Sequence, residues 1–164
     1  HYDTYGKERD FVTTSGKKIK VGGGDYGWKV DIKKETAALI EAIMGGRTMV
    51  REPVYSQRGA RPGLNDIGST YVEIDLTNQH LWYYKSGKLI ANGAVVTGDM
   101  EEGYKTPEGV YSLKYKIKNA VLKGPNYRAS VSYWMPFNND IGIHDASWRT
   151  DFGRDIYLAR GSHG

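Results

Sequence analysis

The sequence predicts a mostly β chain, an all-β sandwich or barrel preceded by a small α+β unit. Three observations carry this. Short extended runs, each closed by a turn, recur between Thr70 and His144 with no helical periodicity between them. Glycine reaches 21 of 164 residues, against about 7% in an average protein. Tyrosine is the commonest aromatic, 13 residues beside many Val and Thr, a composition that suits pleated, half-buried surfaces joined by tight turns.

The elements follow in order. Asp10 to Thr14 and Lys17 to Val21 read as two extended runs around Ser15-Gly16, a turn dipeptide. Gly22-Gly23-Gly24 breaks the pattern before a further extended piece, Trp28 to Ile32. Asp31 can cap a helix from about Ile32 to Met44, with Leu39, Ile40, Ile43 and Met44 on one face and Gly45-Gly46 at its end. Arg58 to Asn65 is turn-rich and reads as a linker. From Thr70 the texture changes. Tyr71 to Leu76 alternates strictly, Thr77-Asn78 turns the chain, His80 to Lys85 runs back, and Ser86-Gly87 starts a second hairpin into Leu89 to Thr97. Thr106-Pro107-Glu108-Gly109 leads into Val110 to Ile117, and Ser130 to Met135 and Ile141 to His144 are short later strands. The expected division is residues 1–67 and 68–164.

Composition removes several function classes. The chain has room for one domain, or one and a smaller partner, and 13 Tyr, 4 Trp and 3 Phe are too many for a disordered segment. No apolar run approaches 18 residues and the first residues lack a signal pattern, so the chain is expected to be soluble as it stands, any targeting segment being absent or removed. A net charge of +4 without a dense Lys/Arg stripe gives no case for nucleic acid. With no cysteine, disulfides, Cys-ligated zinc and thiol catalysis are excluded within these residues.

Among candidate motifs, Gly22, Gly24 and Gly27 spell G-x-G-x-x-G, but an extended run follows where a phosphate loop needs a helix to open. The carboxylate pairs Glu73/Asp75 and Glu101/Glu102 read as solvated faces. His1 and His80 read as ordinary. His144 ends an apolar run and precedes Asp145, a suitable place for a general base. His163 lies in Ser162-His163-Gly164. No metal-ligand spacing accompanies these histidines, and no cofactor is expected. A serine hydrolase on Ser162 would need His144 as its base. From the residues alone, a pair of satisfied structural histidines stands level with a catalytic pair.

His144, 17 intervening residues and then Ser162-His163-Gly164 resemble the signature of the L,D-transpeptidase catalytic domain, the YkuD family, which continues into a cysteine. Other segments agree. YVEIDLTNQHLWYY from Tyr71 to Tyr84 is similar to the family's opening hairpin; Val96-Thr97-Gly98 and Lys105 to Tyr111 resemble its TG…TPxGxY segment. Tyr133 to Phe137 with Gly142 to Asp145 resemble the stretch around the first histidine. The resemblance covers about residues 69 to 164. The preceding part, through Lys29-Val30-Asp31 and Arg51 to Tyr55, resembles a candidate peptidoglycan-binding domain that precedes some Gram-positive members.

The resemblance implies a YkuD-type β-sandwich or barrel and cross-linking of peptidoglycan stem peptides through a cysteine acyl-enzyme, with release of D-Ala. It makes His144 the base and Asp145 the residue orienting its ring, through side chain or backbone carbonyl. Backbone N–H groups around His163, Gly164 and the cysteine would form the oxyanion hole, His163 shaping the loop. Tyr133, Trp134, Trp148 and Ser162 are the candidate substrate contacts, with core packing the alternative for each aromatic. Carbapenems are the implied inhibitors, and the implied location is the cell wall, with any membrane attachment through an upstream anchor. The departure is the missing nucleophile and last strand: the 164 residues as they stand are expected to be inactive. The alternative is a non-catalytic peptidoglycan-binding protein that keeps the YkuD shell.

Overall fold

The computed structural model describes residues 2–124 and 127–163. In the first part, β1 (Arg9–Val12) and β2 (Lys18–Val21) pair antiparallel, Arg9 opposite Val21 and Val12 opposite Lys18. Their turn uses Gly16 at φ +82°, a conformation open to glycine at no steric cost. The segment after Gly27 is extended: β3 (Lys29–Val30) pairs with β4 (Tyr55–Gln57), a strand that no sequence pattern announces.

Helix α1 (Ile32–Met44) has the predicted bounds, because Asp31 accepts the Lys34 N–H at 3.0 Å and Gly45 closes the last turn. Its apolar side chains Leu39, Ile40, Ile43 and Met44 are all exposed. The helix is fastened near its start, where the Glu35 carboxylate accepts the Val54 N–H at 2.7 Å and Arg51 Nη2 at 2.8 Å.

Burial in this part is polar. The side chains of Arg9 and Asp66 are 0% exposed and paired at 2.5 Å, with Thr4 Oγ1 donating to the same carboxylate. Arg9 also donates to the carbonyls of Thr4, Lys7 and Tyr26. This network ties Asp66, just past the linker, to Arg9 of β1 and to the backbone at Thr4, Lys7 and Tyr26.

The second part holds two three-stranded antiparallel sheets, so the mostly β expectation holds. One is β5 (Tyr71–Asp75), β6 (His80–Lys85) and β7 (Lys88–Ala94), in that order. Its second turn places Ser86 and Gly87 at φ +51° and +76°, the hand that matches strand twist in a two-residue hairpin. The other is ordered β10-β9-β8, from β8 (Ile117–Lys123), β9 (Arg128–Asn138) and β10 (Ile141–His144). Along β9, Trp134 and Pro136 are buried while Tyr133 faces outward, the period of two a strand imposes. A short helix α2 (Ile156–Ala159), which the sequence pattern does not announce, precedes the final segment.

Two expected strands are corrected. Val110 to Ile117 is not a strand: β8 begins at Ile117 and runs to Lys123. The residues before it hydrogen-bond elsewhere. Val110 bridges Gly24, the Ser112 N–H goes to Asp25 Oδ1, and the Lys114 ammonium pairs with the same carboxylate. Likewise the strand expected over Leu89 to Thr97 ends at Ala94, because the N–H groups of Val95 and Thr97 donate to the Gln79 backbone and side-chain oxygens. Contacts between the two parts include Thr14, whose N–H and hydroxyl both donate to Glu73, and an edge-on Phe11–Tyr71 ring pair at 5.7 Å.

Candidate active site

The last residue of β10, His144, stands opposite Trp134 of β9. Its Nδ1 lies 2.8 Å from the Asp145 carbonyl oxygen. A carbonyl only accepts, so Nδ1 carries the hydrogen and Nε2 of the neutral ring is left as the basic nitrogen. Indoles flank the imidazole. The Trp148 ring is near-parallel to it at 6.0 Å and the Trp134 ring is tilted at 6.0 Å. Trp134 is 8% exposed and lies under Gly142, where an added Cβ would fall 2.7 Å from the indole. It is a wall beneath the strand pair. Tyr133 is exposed, with the Lys118 ammonium 5.9 Å from its ring centroid, and Trp148 is exposed beside a hollow of about 260 Å³.

The Asp145 side chain does not reach the imidazole. Its two oxygens accept the N–H groups of Ser132 and Tyr133, at 3.0 and 2.7 Å. Burial opposes the charge here, but these N–H donors outweigh it and hold the carboxyl below its ordinary value. Asp145 thus acts twice: the carbonyl fixes the ring and the carboxylate fixes the residue to strand β9.

Ser162 pairs in parallel with Gly98. Its N–H donates to the Thr97 carbonyl at 2.9 Å, and its carbonyl accepts the Asp99 N–H at 2.8 Å. His163 is exposed, 3.2 Å through Nε2 from the Glu102 carboxylate, with the rings of Tyr104 and Tyr127 at 5.1 and 5.6 Å. Gly164, and with it part of the expected oxyanion hole, lies outside the described residues, as does His1. Arg149 links the two halves of the motif. It follows His144 by five residues and donates to the carbonyl of Arg160, two residues before Ser162, at 2.8 Å.

Of the carboxylate pairs, Glu73 receives Thr14 and Asp75 caps the N–H groups of Thr77 and Asn78. Among the described residues no group of His, Asp and Glu could hold a metal ion, and no helix is long and apolar enough to cross a membrane.

Asp99, Gln79 and Arg149 belong to no sequence motif, yet they hold the site's backbone. Asp99 is 2% exposed, accepting the Glu102 N–H at 2.9 Å and the Gly161 N–H at 2.6 Å. The Glu102 N–H is the main cause that keeps its carboxyl below the ordinary value, against the effect of burial. A depressed folded value gives stability that is complete above the unfolded value of about 3.9 and is lost as pH falls below it. Asp99 and Asp145 share that sign. We therefore expect near-UV circular dichroism from Trp134 and Trp148 to hold steady from pH 7 to 5 and to collapse below about pH 4. Signal loss already complete at pH 5 would contradict it.

The domain is an antiparallel β structure with an oriented imidazole at a strand end and, bridged to Gly98, the Ser162 segment that carries the second histidine. The family described as the L,D-transpeptidase catalytic domain, YkuD, matches residues 69–164, and the chain belongs to it. Residues 1–51 match a family described as a candidate peptidoglycan-binding domain, a pairing associated with the cell wall. Among solved structures, a cysteine-to-serine mutant of the Enterococcus faecium L,D-transpeptidase is similar at 37% identity and TM-score 0.81, over 99% of this chain and 66% of that one. The Ldtfm-avibactam carbamoyl enzyme gives 37% and 0.81, over 99% and 65%. The catalytic domain from E. faecium L,D-transpeptidase acylated by ertapenem gives 42% and 0.53, over 60% and 79%. This chain therefore spans just under two-thirds of the first two structures. No curated protein sequence matches at a significant level.

Proposed function

We propose that the full-length protein is a peptidoglycan L,D-transpeptidase acting through a cysteine acyl-enzyme, with residues 68–164 as most of its catalytic domain and 1–67 as part of a peptidoglycan-binding domain. The observation that carries this reading is the His144 Nδ1–Asp145 carbonyl contact, which commits Nε2 to proton transfer. The family's nucleophile is the cysteine directly after Ser-His-Gly. The 164 residues contain no cysteine, so by themselves they should form no acyl-enzyme.

In the full-length protein Nε2 of His144 takes the thiol proton, raising the thiolate fraction above the few per cent of a free cysteine at neutral pH. The sulfur attacks the carbonyl before the D-Ala of a donor stem peptide. Backbone N–H groups of the segment from His163 onward hold the oxyanion, and the imidazolium returns its proton to the departing D-Ala amine. An amine of a neighbouring stem then attacks the thioester. His144 accepts its proton and the thiol is released. Trp148, exposed beside the imidazole, and Tyr133, exposed on the outward face of β9, supply apolar contact for the stem peptides. Attachment to the membrane would come from an anchor upstream.

Two of the similar structures are an avibactam carbamoyl enzyme and an ertapenem-acylated catalytic domain. By the same chemistry, the full-length protein is expected to gain the mass of one carbapenem, on a single cysteine. Intact-mass spectrometry after drug exposure measures this. An unchanged mass would favour a binding protein with the transpeptidase shell.

A further inference from the structure

We propose that Asp99 is a positioning residue for acyl transfer: its buried carboxylate fixes the segment that delivers Ser162-His163 and the oxyanion-binding N–H groups after it. The inference rests on the transpeptidase reading and names a residue that reading does not require.

The argument begins from contacts at Asp99. Oδ2 receives the Gly161 N–H and Oδ1 the Glu102 N–H, so one side chain fastens the nucleophile-side segment and the loop carrying Glu102. The Asp99 backbone adds a third link, donating to the Ser162 carbonyl. Packing leaves little slack. A Cβ on Gly161 would lie 2.4 Å from Asp99 Cα, and one on Gly98 would lie 1.7 Å from the Tyr104 carbonyl oxygen; real Cβ atoms do not approach so closely.

The other side of the same segment is also held. The Ser162 N–H donates to the Thr97 carbonyl. Thr97 is gripped in turn by Gln79, which is fully buried; its Oε1 accepts the Thr97 N–H at 2.8 Å and its Nε2 donates to Thr97 Oγ1 at 2.8 Å. The Asp99 side chain bonds directly to the Gly161 backbone. Oxyanion N–H groups work only when pre-aimed at the developing charge, and a shift of about 1 Å costs on the order of 100-fold in rate. Loosening Gly161 should therefore affect acyl transfer more than thiol reactivity.

The test uses the full-length protein with Asp99→Asn, which keeps the shape but turns an NH₂ toward one of the two N–H donors, and with Asp99→Ser as a second variant. Three quantities are read: the rate of carbapenem acylation by intact mass, the rate of cysteine alkylation by iodoacetamide, and thermal melting. Alkylation needs the thiolate but no oxyanion hole. The expected result is acylation about 10- to 100-fold slower, with alkylation within about twofold and cooperative melting retained. Acylation at the wild-type rate in either folded variant overturns the inference alone. Parallel loss of both reactions, or loss of cooperative melting in both variants, makes Asp99 merely structural and also overturns it. A wild type that alkylates but takes up no drug defeats the transpeptidase reading, and the inference with it.

Discussion

His144→Ala in the full-length protein is expected to abolish carbapenem acylation while the fold survives. General base catalysis by one positioned side chain is worth about 100- to 10,000-fold, so the acylation rate should fall by at least about 100-fold. The structural cost should be small by comparison. His144 is partly exposed at the end of β10, and its ring Nδ1 donates to the carbonyl of the next residue, a contact worth about 1 kcal/mol net. The Asp145 carboxylate would still hold strand β9 through Ser132 and Tyr133, and Trp134 would still lie under Gly142. Intact mass and a melting curve on one sample decide the matter: near-normal acylation would remove His144 from the base role, and an unfolded variant would show that the imidazole is structural.

The strand end that carries His144 is legible in the sequence because the apolar run before it is local, whereas its role as base comes only through the family resemblance. Helix α1 was legible for the same reason: Asp31 and Gly45 mark its limits by short-range hydrogen bonds. The spacing from His144 to Ser162 marked the motif, but not how the interval is folded. Arg149 reaches Arg160 across it, and α2 lies inside it; neither leaves a periodic trace. Residues 110 to 116 look like a strand because their composition suits one, yet their donors and acceptors go to partners far away in sequence, such as Gly24 and Asp25. Asp99 and Gln79 were invisible for a related reason. A buried polar side chain in a loop has no pattern of its own; its partners at Gly161 and Thr97 exist only once the chain has folded. The sequence places Leu39, Ile40, Ile43 and Met44 on one face of α1 but does not say what covers it; all four are exposed, and the buried centre of that part is the Arg9–Asp66 pair.

The same pair carries the largest expected effect on stability. Asp66→Ala removes the carboxylate from Arg9, whose guanidinium is 0% exposed, and the carbonyls of Thr4, Lys7 and Tyr26 that remain as acceptors do not neutralise it. Breaking a buried pair from one side typically costs about 3–5 kcal/mol, because a desolvated charge is left without its partner. Against a total stability of roughly 5–15 kcal/mol for a domain, that is a large fraction, and the urea midpoint should fall accordingly. The exposed Lys20–Asp10 contact at 3.3 Å supplies the contrast; Asp10→Ala should leave the urea midpoint nearly unchanged, because solvent screens the pair. A double replacement, Arg9→Met with Asp66→Leu, separates charge from packing. If the unpaired charge is the cause, the double variant is more stable than Asp66→Ala alone, since apolar side chains can fill the site without a desolvated ion. If Asp66→Ala unfolds at the wild-type urea concentration, the pair is too well hydrated to matter. In that case the chain at Asp66 must be held by other contacts, such as the Tyr26 hydroxyl donating to the Asp66 backbone carbonyl.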